Sequence, residues 1–69
     1  MAIHLKAARV NAGYTQEGAV TELRKEGIKI SKNTLLNYEL YRTTPDIVTA
    51  TALARLYGTT VDNIIFFAE

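Results

Sequence analysis

Three glycines and one proline punctuate this chain: Gly13, Gly27, Pro45 and Gly58. Glycine readily takes the left-handed conformation that ends a helix, and proline cannot continue one. Each of these stops is accompanied by a residue suited to starting the next helix, because its side-chain oxygen can accept from the free N–H groups of a first turn. These are Thr15, Ser31, Asp46 (or Thr44, with Pro45 at the first helical position) and Thr60. The segments between stops carry apolar residues at helical spacing. Ala2 to Ala12 places Leu5, Ala8 and Ala12 on one stripe, and the segment after Thr15 places Ala19, Val20 and Leu23 together. That second segment runs on through Arg24 and Lys25 to Gly27, with Gly18 as an awkward interior residue that costs about 1 kcal/mol in a helix. Gly27-Ile28-Lys29-Ile30 is a connector that should drop Ile28 or Ile30 into the core before Ser31 starts the third helix at Lys32. Ile47, Ala50, Leu53, Ala54 and Tyr57 define a fourth stripe, and Thr60 begins a last short helix with Val61, Ile64 and Ile65 inward. No alternating run is long enough for a competing strand. The expectation is an all-α fold, a compact five-helix globule in which residues 1–69 form a single domain.

Composition narrows the function. With 69 residues, 48% hydrophobic and 22% charged, the chain suits one small domain with a modest core. It contains no cysteine, so disulfides and thiolate metal sites are excluded. The longest apolar run, Ile64 to Ala68, is too short to span a bilayer and the N-terminus lacks the apolar stretch of a signal peptide. A soluble cytoplasmic protein with no membrane contact is the expectation. His4 is the single histidine, and no carboxylate pair, Cys/His set or glycine-rich phosphate loop accompanies it, so the chain is read as no enzyme, without cofactor or metal.

The net charge is +1, but it is unevenly spread. Arg24, Lys25, Lys29, Lys32 and Arg42 stand against Glu26 and Glu39 in the middle of the chain, a local balance of +3, whereas the stretch from Thr43 onward is acidic. The basic part contains the segment Ile30-Ser31-Lys32-Asn33-Thr34-Leu35-Leu36-Asn37-Tyr38-Glu39. At about 100° per residue, Leu35 and Tyr38 fall on one side of that helix and Lys32, Asn33, Leu36 and Asn37 on the other. Lysine donates to guanine O6 and N7, asparagine pairs bidentately with adenine, and a leucine can meet a thymine methyl. A positive region bearing such a face is the footprint of a nucleic-acid-binding helix. Arg9 lies beside the first apolar stripe, where an arginine stem rests on the core with its head paired.

Taken together, these pieces resemble the helix-turn-helix DNA-binding domains of the phage repressor and Cro type. The matching residues are Leu5…Ala8-Arg9…Gly13-Tyr14-Thr15-Gln16-Glu17, then Ile30-Ser31-Lys32-Asn33-Thr34-Leu35…Tyr38-Glu39, then Pro45, then Leu53-Ala54-Arg55-Leu56-Tyr57-Gly58-Thr59-Thr60-Val61-Asp62-Asn63-Ile64. The resemblance implies a repressor-like fold whose helices two and three form the helix-turn-helix. It implies that Gln16, at the start of helix two, meets a phosphate or base edge. Ser31, Lys32, Asn33, Thr34, Leu36 and Asn37 would enter the major groove of a double-stranded operator, and Arg42 would touch the backbone. It also implies an ion pair between Arg9 and Glu39. Three departures stand out: a connector between Leu23 and Ser31 about five residues longer than the usual tight turn, Leu40-Tyr41 where the family has a glycine, and the apolar Leu36 on the exposed face.

Such repressors commonly form two-fold dimers through the C-terminal end, which here holds Ile65, Phe66 and Phe67. Phe66 and Phe67 cannot both turn inward at helical spacing, so one of them is expected to supply a homodimer contact, in solution or only on DNA. The competing reading is a protein-interaction module of the same fold that binds a partner regulator, favoured by the apolar Leu36, Leu40 and Tyr41.

Overall fold

A computed structural model describes residues 2–67. Met1, Ala68 and Glu69, the ends of the expected 1–69 domain and of the last apolar run, lie outside them. Four α-helices account for most of the chain: α1 (Leu5–Asn11), α2 (Gln16–Lys25), α3 (Lys32–Glu39) and α4 (Ile47–Leu56). Each contributes one leucine with no solvent exposure, Leu5, Leu23, Leu35 and Leu53, and these four form the centre of the core. Full burial of a leucine is worth about 1.5–3 kcal/mol, so this quartet is the main apolar attraction between the helices. Ala8, Ala19, Val20, Ala50, Ala54 and Tyr57 surround it.

The helix boundaries follow from local chemistry. Thr15, Ser31 and Asp46 are extended residues whose side chains accept from the N–H groups of Gly18, Thr34 and Thr49. Between the two candidates for α4, Asp46 is therefore the cap. Gly18 has its reason in the first of these caps, because a Cβ at that position would lie 3.1 Å from the Thr15 hydroxyl oxygen that its N–H donates to. At the other end of α2, Gly27 takes φ +83° and its N–H donates to the Arg24 carbonyl, while the Ile28 N–H returns to Leu23. The extra connector length is thus divided between a longer α2 and the segment before Ser31. Ile28 and Ile30 are both half-buried against the core, rather than one of them entering it.

Against the expected five helices, the described residues hold four α-helices. Ile3–His4 (β1) pairs in parallel with Ile64–Ile65 (β2), Ile3 opposite Ile64 and His4 opposite Ile65. The first helix therefore starts at Leu5 rather than at Ala2. The last one is reduced to a single 3-10 turn, Val61–Asn63, which Thr60 precedes without a side-chain capping bond. Val61, Ile64 and Ile65 are β-branched and helix-averse, and an extended Ile3 offers Ile64 a strand partner instead. Three residues assigned to buried stripes lie elsewhere. Ile47 is 69% exposed on the first turn of α4, Ala12 is exposed beyond the end of α1, and Ile65 is half-buried at the strand edge. Ala52 and Thr49 are buried on α4 in their place.

Candidate nucleic-acid interface

The candidate interface is built outward from Glu39, the last residue of α3. Its carboxylate is 2% exposed and accepts Arg9 Nε at 2.7 Å on Oε2, Arg9 Nη2 at 3.2 Å on Oε1 and Gln16 Nε2 at 3.1 Å on Oε1. Arg9 Nη1 donates to the Tyr14 carbonyl at 2.9 Å, so the guanidinium also holds the turn between α1 and α2. A two-point arginine–carboxylate pair with a third donor is the strong, geometrically defined kind of charged hydrogen bond. It clamps the end of α3 to α1 and to the first residue of α2. Beside it the Tyr57 hydroxyl is buried, without a hydrogen-bond partner among the described residues, and burial followed by the nearby Glu39 charge pushes its phenol well up from the ordinary tyrosine value.

With Leu35 and Glu39 turned inward, the opposite face of α3 is left to solvent. Lys32 and Asn33 are exposed, and Leu36 and Asn37 are half-buried. Ser31 and Thr34 serve the cap: the Thr34 N–H donates to Ser31 Oγ at 3.0 Å and the two hydroxyls lie 2.9 Å apart. Gln16, Glu17, Lys32, Leu36 and Leu40 line a cleft of about 410 Å³ together with Lys6 from α1. Across it, Lys32 Nζ stands 3.6 Å from Glu17 Oε1. Gln16 is therefore brought to one surface with Lys32 and Leu36, whereas Asn33 and Asn37 do not line this cleft.

Arg42 is exposed on the loop after α3, and its backbone N–H donates to the Asn37 carbonyl at 2.9 Å. The turn for which the resemblance implies a glycine is made here by Tyr41, at φ +61°, a conformation uncommon for a residue with a side chain. Its hydroxyl is hydrogen-bonded to His4 Nδ1 and its ring packs against the imidazole, so the N-terminal strand braces the loop that carries Arg42. Burial raises the Tyr41 phenol above its usual value and the Leu5 backbone amide opposes that rise.

Lys6 and Glu17 were not among the candidate residues from sequence. The place of Glu17 directly after Gln16 in the first turn of α2 is the signal that it borders the same surface. At the C-terminal end Phe66 is 7% exposed within the core cluster, while Phe67 is 63% exposed. Among the described residues there is no group of three or more His, Cys, Asp or Glu side chains placed to hold a metal ion, and no helix is long and apolar enough to cross a membrane.

A family model described as helix-turn-helix matches residues 5–64. The chain is similar to the HTH-type transcriptional regulator ImmR of Bacillus subtilis, with 39% identity over 61 residues, which are 88% of this chain and 44% of the relative. The chain thus spans less than half the length of that relative. No solved structure matches it.

Proposed function

The chain belongs to the helix-turn-helix family, and from that premise we propose that it is a sequence-specific double-stranded DNA-binding transcriptional regulator, a small repressor of the Cro and CI kind that reads the major groove with α3. The observation that carries this reading is the outer face of α3. Lys32 and Asn33 point into solvent with Asn37 beside them, on a helix whose far end is clamped by Arg9 and Gln16 through Glu39. Donors and acceptors that read base edges discriminate only if their helix is held rigidly, and the buried ion pair supplies that rigidity. Gln16 and Arg42 would meet phosphates on either side of the groove and set the register, while Asn33, Asn37 and Lys32 would choose the sequence. The similarity to a transcriptional regulator of Bacillus subtilis supports regulation of transcription as the setting. A cytoplasmic location and a homodimer on a two-fold operator belong to the same proposal.

The competing reading, a module that binds another regulator, is favoured by one feature, the 49% exposed Leu40 beside the α3 face. Salt dependence separates the two. The protein is titrated against a random duplex and against a duplex it selects from a randomised library, at about 50 and about 200 mM salt, where release of even a few counterions weakens phosphate binding by tenfold or more. Affinity that falls in this way, with a preference for the selected duplex, supports the DNA reading. Binding that is absent or indifferent to salt transfers the function to a protein partner.

A further inference from the structure

We infer that Glu17 is a selectivity residue of the interface, holding Lys32 away from DNA so that random sequence is bound weakly and only a site offering Lys32 a base contact draws it across. This rests on the DNA-binding role proposed for α3. Three observations carry it. The two charges lie 3.6 Å apart across the cleft between α2 and α3, so the lysine ascribed to base reading already has an anionic partner within the protein. Both side chains are largely open to solvent, 59% for Lys32 and 77% for Glu17, so the contact is weak and can be exchanged for another. Finally, Glu17 directly follows Gln16 on the cleft-lining turn of α2, where an approaching phosphate would meet a carboxylate.

The core explains none of this, since Glu39 already satisfies Arg9 and Gln16. A carboxylate at this place opposes every duplex by repulsion and by occupying Lys32. A guanine edge correctly placed for the ammonium replaces the lost partner, whereas a random sequence offers only phosphates that the carboxylate repels. Selectivity then arises from an unfavourable element built against the wrong partner as well as from contacts to the right one.

The test uses the whole chain with the random and library-selected duplexes. Glu17→Gln is expected to raise affinity for the random duplex by about two- to fivefold, the range an exposed ion pair spans. It should steepen the salt dependence on that duplex by about one released ion. The gain on the selected duplex is expected to be smaller, so the ratio of the two affinities falls. In a Lys32→Met background the Glu17→Gln gain should shrink to the smaller part that direct repulsion of phosphates supplies. A carboxylate that only complements the α2 dipole would lower thermal stability on substitution and leave the salt slope and the affinity ratio unchanged, and that result overturns the inference. So does a gain that persists in full in Lys32→Met, which would make Glu17 a general repeller independent of the lysine. If the parent protein itself binds neither duplex in a salt-dependent way, the DNA reading fails and this inference with it. Parent binding that follows salt while Glu17→Gln matches it sinks the inference alone.

Discussion

Glu39 accepts hydrogen bonds from α1 and from α2 while itself ending α3, so a single carboxylate fixes the relation of three helices. A charge this well buried tolerates the loss of a partner poorly. Arg9→Met or Glu39→Gln alone is expected to cost about 3–5 kcal/mol in chemical denaturation, and the double variant less than the sum, because it strands no charge. Strictly additive losses would mean that the two groups contribute independently. How far this cluster could be read beforehand differs by residue. The position of Arg9 beside the Leu5 and Ala8 stripe signals a paired head from periodicity alone, whereas Glu39 could be named only through the family resemblance. The bond from Gln16 was not legible by either route, since it depends on how closely the start of α2 approaches the end of α3. The contact of Glu17 with Lys32 was not legible for the same reason: the two are 15 positions apart in sequence and meet only across the packed helices.

At the scale of elements, what is local was legible and what is long-range was not. Thr15, Ser31 and Asp46 start their helices by bonding an N–H three residues on, a relation wholly contained in the nearby sequence. The pairing of Ile3 with Ile64 spans nearly the entire chain, and nothing near Thr60 signals that Ile64 and Ile65 have a strand partner. The spacing of Val61, Ile64 and Ile65 reads as a short helix although their β-branched side chains disfavour one. Asp46 offers a check on the capping account. The Thr49 backbone N–H, donating to its carboxylate, holds the group below the usual carboxylate range. A depressed acid stabilises the fold above its unfolded value, near about pH 4, and that contribution is lost as pH falls through the lower folded value. Asp46→Asn keeps an acceptor at the cap but cannot titrate. Its melting temperature should therefore decline less steeply than the parent's between about pH 4 and pH 2, as followed by circular dichroism. Parallel declines would show that the Asp46 charge has no part in the acid sensitivity.

For the whole molecule the open question is assembly, and the two C-terminal aromatics divide the work. Phe66 faces the domain's own core and Phe67 faces solvent, so dimerisation through this end would fall to Phe67. Phe67→Ser is expected to leave the melting temperature nearly unchanged and to reduce self-association or half-site cooperativity in sedimentation with and without the selected duplex. Phe66→Ser should destabilise the monomer by about 3–5 kcal/mol, the usual cost of truncating a buried ring. Sedimentation unchanged by either would place the dimer surface elsewhere. A two-fold arrangement sets two α3 helices about 34 Å apart, one turn of DNA, which makes operator spacing part of the same proposal. All of it depends on α3 being the reader. The most direct measurement is a base-resolved footprint on the selected duplex for the parent, Asn33→Ala, Asn37→Ala and Arg42→Ala. If α3 reads the sequence, each asparagine variant loses about 1–3 kcal/mol of discrimination at its own base pairs only, and Arg42→Ala weakens all duplexes alike. Asparagine variants with the parent's footprint and the parent's affinity would contradict the account.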